Sequence, residues 1–240
     1  MTKVTLKNVK LGYKVKRKEW NIISEDLNMV FPSGKISVII GESGCGKTTI
    51  LRAIAGLLPP LEGKIFFNDV DVTNYDSPNR SISYVSQMIG LYTNMSVFNN
   101  IAFPLKVSHT PSDEIRERVL EVAETLKIDY LLSRKPRELS IGQAQRVAIA
   151  RAIIKRSLVY LFDEPFSNLD KELSRELIIE LKTLFTRLNA TVIFVSHDIG
   201  EALSIADHAF VMHEGNIIFD GQPNKILSSK DERIKRLLQS

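Results

Sequence analysis

The chain has 240 residues, 44% of them hydrophobic, enough for one well-buried α/β domain with a subdomain and tight for two independent domains. Its 32 Lys and Arg stand against 28 Asp and Glu, and a net charge of +4 is too balanced to mark a nucleic-acid binder from charge alone. A single cysteine excludes an internal disulfide framework, no apolar run approaches the roughly 18 residues a membrane span needs, and the start Met1-Thr2-Lys3-Val4-Thr5-Leu6 is no signal peptide, so a cytoplasmic protein is expected.

Residues 3 to 13 alternate apolar and polar (Val4, Leu6, Val9, Leu11) and predict an edge-type strand; residues 22 to 31 predict a second. Between them, Lys14 to Asn21 reads as a charged hairpin loop. Its basic cluster, Lys14, Lys16, Arg17 and Lys18, reads as a solvated face or one near anionic lipid. Pro32-Ser33-Gly34 turns the chain into Ile36-Ser37-Val38-Ile39-Ile40, a run of the kind found in a strand buried on both faces. Gly41-Glu42-Ser43-Gly44-Cys45-Gly46-Lys47-Thr48-Thr49 follows, and apolar residues at helical spacing then predict a helix from Lys47 to Leu58, stopped by Pro59-Pro60.

Gly41, four residues, then Gly46-Lys47-Thr48 is the P-loop pattern, in the strand-loop-helix context that it requires. Gly41, Gly44 and Gly46 let the backbone wrap close to a polyphosphate, and the helix N-terminus adds partial positive charge. Lys47 brings a full charge to the outer phosphates, and the Thr48 hydroxyl is suited to the accompanying Mg²⁺. Cys45 lies within the cradle, so alkylating it is expected to block nucleotide binding by bulk.

Gly63 to Asn68 predicts another strand, and residues 82 to 87 a short one that delivers Gln87 to its end. From there to about Arg137 the pattern is helical, with helices Val97 to Leu105 and Ser112 to Leu126, Ser112 as a cap and Pro104, Pro111 and Pro136 as punctuation. Ser140 and Gln143 make a capping box for a helix from Ile141 to about Lys155; beside Gly142 its N-terminus suits a phosphate, although on these residues alone a well-capped helix is the better explanation. The apolar strand Leu158 to Phe162 ends in Asp163-Glu164-Pro165. Carboxylates there are costly without a cation or water, and in a P-loop protein Asp163 would hold Mg²⁺ through water while Glu164 faced an attacking water. A helix from Lys171 to Leu188 and a strand from Thr191 to Val195 bring His197 to the same sheet end, and helix Ile199 to Ala206, a hairpin (Ala209 to Met212, Asn216 to Phe219) and a charged helix in 223–240 follow.

These motifs, in this order, resemble the ATP-binding subunit of ABC transporters from Tyr13 to about Pro223: P-loop, Gln87 as the Q-loop glutamine, Leu139 to Gln143 as the signature, Leu158 to Glu164 as the Walker B strand, Ser167 to Asp170 as the D-loop and His197 as the switch histidine. The resemblance implies an α/β P-loop NTPase core with a mostly parallel sheet, an N-terminal antiparallel β-subdomain and an inserted α-helical subdomain. The core and β-subdomain are assigned to 1–87 and 156–222, the helical subdomain to 88–155 and a C-terminal helix to 223–240. It further implies ATP and Mg²⁺ as cofactors, Ser43 to Thr49 on the phosphates, Thr48 and Gln87 on Mg²⁺, Tyr13 or Trp20 against the adenine, and closure of the site by Ser140, Gly142 and Gln143 of a second ATPase subunit, in a homodimer or heterodimer. Asp170 is expected to act across that dimer, and Leu91, Tyr92 and Phe98 to meet a membrane partner or to be buried.

Leu91 to Val97, Asn100 to Phe103 and Asp163 to Asp170 look like the ATPases of sugar and other small-solute importers. The implied partners are transmembrane permease subunits and an extracellular or periplasmic solute-binding protein, with no nucleic acid, and the implied location is the inner face of the cell membrane. Those sugar-importer subunits carry a C-terminal regulatory β-domain, which this sequence is expected to lack. The family places Gly where Ile141 stands, so low ATP turnover or a partner site supplied by another subunit is expected. Alternatives are a non-transport ABC ATPase acting on DNA or ribosomes, which calls for heptad arms or tandem cassettes, and a non-hydrolysing regulatory subunit.

Overall fold

The computed structural model describes residues 1–16 and 19–239; Arg17 and Lys18 of the basic cluster lie outside the described residues. Strands β1 (Val4–Lys16) and β2 (Glu19–Phe31) form a long antiparallel ribbon. The chain continues through β3 (Ile36–Ile40), α1 (Lys47–Ile54), β4 (Glu62–Phe67), β5 (Val70–Asp71) and β6 (Ile82–Val85). Helices α2 (Val97–Val107), α3 (Ser112–Thr125) and α4 (Ile141–Ile153) follow, then β7 (Val159–Asp163), α5 (Lys171–Leu188), β8 (Thr191–Ser196), α6 (Ile199–Ile205), β9 (His208–His213), β10 (Asn216–Gly221) and α7 (Glu232–Gln239).

Two sheets result. The order β2-β1-β4-β5 is antiparallel throughout; in β10-β9-β3-β8-β7-β6 the strands from β9 to β6 run parallel and β10 is antiparallel at the edge. Side chains alternate across a strand, and here both faces are covered. Ile36, Val38 and Ile40 of β3, Tyr160 and Phe162 of β7, and Val192 and Phe194 of β8 enter one apolar core with α2 to α5. Ile39, Val159, Leu161, Ile193 and Val195 enter the other, with α1 and the antiparallel sheet. Phe162 stacks on Phe194 at 4.6 Å between ring centroids in the first core. The continuous apolar runs are thus two interleaved faces. Because the strands are parallel, the carboxyl ends of β3, β6, β7 and β8 share one edge, where the crevice for a ligand opens.

Four local features differ from the sequence reading. Positions 14 to 16 and 19 to 21 continue the β1–β2 ladder, with Lys14 opposite Trp20 and Lys16 opposite Glu19, where a loop was expected. A ribbon exposed on both faces carries charge freely, and its backbone hydrogen bonds leave no apolar pattern to read. α1 ends at Ile54 instead of Leu58: the chain turns at Gly56 (φ +73°), and the Arg80 guanidinium takes the Ala53 and Ile54 carbonyls at 2.8 and 2.9 Å. Pro104 lies inside α2, which runs on to Val107; the missing N–H affects only the Asn100 carbonyl, and Ser96 caps the other end by accepting from the Asn99 N–H. At α3, Pro111 takes the cap position and Ser112 is already helical, since the fixed φ of proline pre-sets the helix entry.

Arg80 is 2% exposed and also donates to the carbonyls of Tyr75 and Thr73, at 2.8 and 2.9 Å. A cation at the carboxyl end of α1 offsets the helix dipole there and holds the P-loop helix against the β5–β6 connection. Arg80→Met leaves those buried carbonyls without their donor and is expected to lower unfolding stability by about 2–4 kcal/mol, read from urea melts.

Candidate functional site

The loop between β3 and α1 is shaped by close approaches. A Cβ on Gly41 would collide with the Met212 carbonyl oxygen, and Gly46 sits at φ +112°, a conformation side-chain-bearing residues avoid. Lys47 is 4% exposed, and its ammonium folds back to donate to the Gly41 and Glu42 carbonyls at 2.7 and 2.9 Å, drawing the loop into a ring. Over α1's N-terminus lies a cavity of about 270 Å³ lined by Ser43, Gly44, Gly46, Lys47, Thr48 and Thr49, and by Ile23, Gln87 and Glu164 from elsewhere. Backbone N–H groups, a helix N-terminus and an ammonium around one cavity suit a polyphosphate.

Two carboxylates close the far side. Asp163, 5% exposed at the end of β7, accepts from the Thr48 hydroxyl on one oxygen (2.7 Å) and from the Tyr84 hydroxyl on the other (2.8 Å). Burial, and then the Asp163 charge, push the Tyr84 hydroxyl well above its ordinary pKa, so it remains a donor. Glu164 has a left-handed backbone (φ +46°) that turns its side chain toward the loop. One carboxylate oxygen lies 3.2 Å from His197 Nδ1 and 3.4 Å from Gln87 Nε2, and the other 4.0 Å from Lys47 Nζ. The turn after β8 that presents His197 is fixed by Ser196, whose hydroxyl accepts from the Asp198 N–H and donates to Glu201. Burial holds the Glu201 carboxyl above the ordinary carboxylate range.

Thr48, Asp163 and Gln87 offer hard oxygen donors, the type Mg²⁺ takes, and Asp163 is buried with a hydroxyl on each oxygen. Among the described residues no three His, Cys, Asp or Glu side chains converge on a metal position.

Lys47, Thr48, Gln87, Asp163, Glu164 and His197 are thus brought together. Tyr13 is set beside them, its hydroxyl 3.1 Å from that of Thr49, while Trp20 stands half-exposed on the ribbon opposite Lys14. Cys45 departs from expectation: its thiol packs against the apolar core under the loop and does not line the cavity. The signature residues are not near this site. Ser140, Gly142 and Gln143 line no part of the cavity; Ser140 and Gln143 form the reciprocal capping box of α4, and Ile141 is largely exposed beside them. Asp170 caps α5 by accepting from the Glu172 and Leu173 N–H groups. Leu91 and Phe98 pack on the core, and Tyr92 is half-exposed, beside Phe103 and Arg151. Sequence reasoning missed Ile23, which packs over Gly46, and Tyr84.

A strand, a phosphate-wrapping loop and a helix, with carboxylates from the neighbouring strand, define a P-loop nucleotide-binding protein. Residues 24–167 match the family model described as ABC transporter, and the chain belongs to that family. It is 39% identical over 231 residues to an sn-glycerol-3-phosphate import ATP-binding protein, UgpC, of Bartonella quintana, covering 96% of this chain and 65% of that protein. It is 43% identical over 218 residues to a trehalose/maltose import ATP-binding protein, MalK, of Thermococcus litoralis, covering 86% of this chain and 59% of that one. The chain thus spans about three fifths of the length of these curated relatives. Among solved structures, the ATP-binding cassette MJ0796, a dimer in a post-hydrolysis state bound to ADP and Pi, superposes with a TM-score of 0.83 at 29% identity, covering 92% of this chain and 98% of that one. The cbiO1 chain from Clostridium perfringens, part of the ABC transporter complex cbiONQ, does so with a TM-score of 0.85 at 27% identity, covering 99% and 98%.

Burial also raises the pKa of the Cys45 thiol, which keeps its thiolate fraction low at neutral pH. Maleimide is expected to label Cys45 several-fold more slowly than free cysteine at pH 7, the gap narrowing as pH rises; labelling as fast as free cysteine would contradict its place under the loop.

Proposed function

We propose that the chain is the ATP-hydrolysing subunit of an ABC importer. The observation that carries this reading is the meeting of Lys47, Thr48, Gln87, Asp163, Glu164 and His197 at one sheet edge, from loops after four different parallel strands. The loop from Ser43 to Thr49 holds the phosphates of ATP, with Lys47 on the outer ones and Tyr13 against the adenine. Thr48, Asp163 and Gln87 would hold Mg²⁺, which when bound would supply positive charge to the phosphates. Glu164 accepts a proton from the attacking water, and His197 keeps that carboxylate oriented and meets the γ-phosphate.

The separation of Ser140, Gly142 and Gln143 from this site supports a head-to-tail pair, in which the capped N-terminus of α4 in one ATPase subunit closes over nucleotide held by the other. Ile141 puts a β-branched side chain on that closing face, which favours slow turnover in a homodimer or a second, different ATPase subunit. Permease subunits in the membrane are the partners, and a solute-binding protein delivers cargo outside. Among the described residues no helix is long and apolar enough to cross a membrane. The permease holds the chain at the inner face of the membrane. A groove of about 510 Å³ opens from the metal side of the site, where Thr48, Gln87 and Asp163 line it, toward Arg52, exposed Leu57 and strongly exposed Met88; Leu57 and Met88, at its outer end, suit contact with a permease helix. The importer relatives named for glycerol phosphate and for trehalose and maltose support a small polar solute as cargo. The helices α2, α3 and α4 form the subdomain, 88–155, that moves with α4.

Glu164→Gln is expected to lower ATP turnover by at least ~100-fold while keeping ATP affinity, and to accumulate as a dimer in ATP and Mg²⁺ by light scattering. Unchanged turnover would remove the reading, and a monomer at saturating ATP would remove the homodimer. Ile141→Gly is expected to raise turnover several-fold; equal rates would clear Ile141 of any part in it.

A further inference from the structure

We infer that Tyr84 is a positioning residue for the metal side of this site, acting through Asp163. This rests on the ATP and Mg²⁺ reading above. Tyr84 lies on β6, two residues before Ser86, and its neighbour across the parallel ladder is Leu161 of β7. Side chains two residues apart on a strand share a face, so Asp163 lies on the same face as Leu161, diagonally ahead of Tyr84 and within reach of a tyrosine. The phenolic hydroxyl closes that gap with a 2.8 Å hydrogen bond to Oδ2, while the Thr48 hydroxyl holds Oδ1 at 2.7 Å.

The two donors differ in what they do. Thr48 would offer its own oxygen to the ion, and its hydroxyl hydrogen bond ties it to Asp163. Tyr84 stands on a strand behind the carboxylate and can reach only the oxygen that Thr48 leaves free. Without it, Oδ2 of a carboxylate that is 5% exposed would lack its side-chain donor, and rotation about the Cβ–Cγ bond would no longer be blocked from that side. Arg52 lies beside both Tyr84 and Tyr13. The ring itself is fixed by packing on the core shared with α1, so removing the hydroxyl alone leaves the strand intact.

Tyr84→Phe keeps the ring and deletes the donor. Binding of a fluorescent ATP analogue is measured in EDTA and across a Mg²⁺ titration, on parent and variant, with thermal melts to check the fold. In EDTA the two are expected to agree within twofold, while the Mg²⁺ concentration for half-maximal binding rises three- to tenfold in the variant and saturating Mg²⁺ restores it. In an Asp163→Asn background the Tyr84→Phe substitution is expected to change nothing further, because its effect passes through that carboxylate. An unchanged Mg²⁺ midpoint, an equal loss in EDTA, or an additive loss in the Asp163→Asn background would each overturn the inference. A variant that melts well below the parent would assign the hydroxyl to folding and overturn it as well. Failure of the parent to bind the analogue at all would instead remove the ATP reading on which the inference stands.

Discussion

Two adjacent carboxylates end a strand buried on both faces, and a buried charge survives only with partners arranged around it. Asp163 and Glu164 obtain theirs from different parts of the chain. Thr48 comes from the loop after β3, Tyr84 and Gln87 from β6 and the turn beyond it, and His197 from the loop after β8. None of these neighbours is close in sequence. A parallel sheet brings them together because its strands all release their loops at one edge, and the register of β6, β7 and β8 sets which side chains can meet there. Lys47 completes the arrangement with a cation 4.0 Å from Glu164 that is also tied to its own loop.

The rest of the fold holds that edge rigid. The period-two alternation of β3, β7 and β8 splits their apolar side chains between two cores, so neither face of the parallel sheet is free to slide. α1 is held at both ends, by the turn at Gly46 and by Arg80 on its last carbonyls. α4 is different. Its N-terminus carries an exposed isoleucine and a capping box whose Gln143 amide also reaches the Tyr130 hydroxyl at 3.4 Å, while Arg151 near its other end donates to the Gly90 carbonyl, just beyond Gln87. That hydrogen bond links the segment after Gln87 to α4.

Much of this arrangement is legible in the sequence because strong local patterns carry it. The run from Ile36 to Ile40, the glycine spacing from Gly41 to Gly46 and the Ser140–Gln143 pair each have one low-energy local structure. Less was legible where backbone bonding or tertiary contact decides. The ribbon at Lys14–Lys16 is strand without an apolar face, α1 stops where Arg80 arrives from a distant turn, and Ser112 lost the cap to the proline before it. In the site, Cys45 sits inside the motif, yet its thiol faces the core, which no spacing rule reveals. Tyr84 could have been found from parity: a polar ring on the edge strand, one step behind the carboxylate of the next strand on the same face.

The most direct measurement is calorimetric titration of ATP with Mg²⁺ into the parent chain and into Lys47→Ala. The ammonium at the centre of the loop predicts that the parent binds and that the variant loses at least tenfold in affinity, equivalent to about 1.4 kcal/mol. Equal affinities would mean that the loop between β3 and α1 does not hold the triphosphate, and the proposed function would not stand.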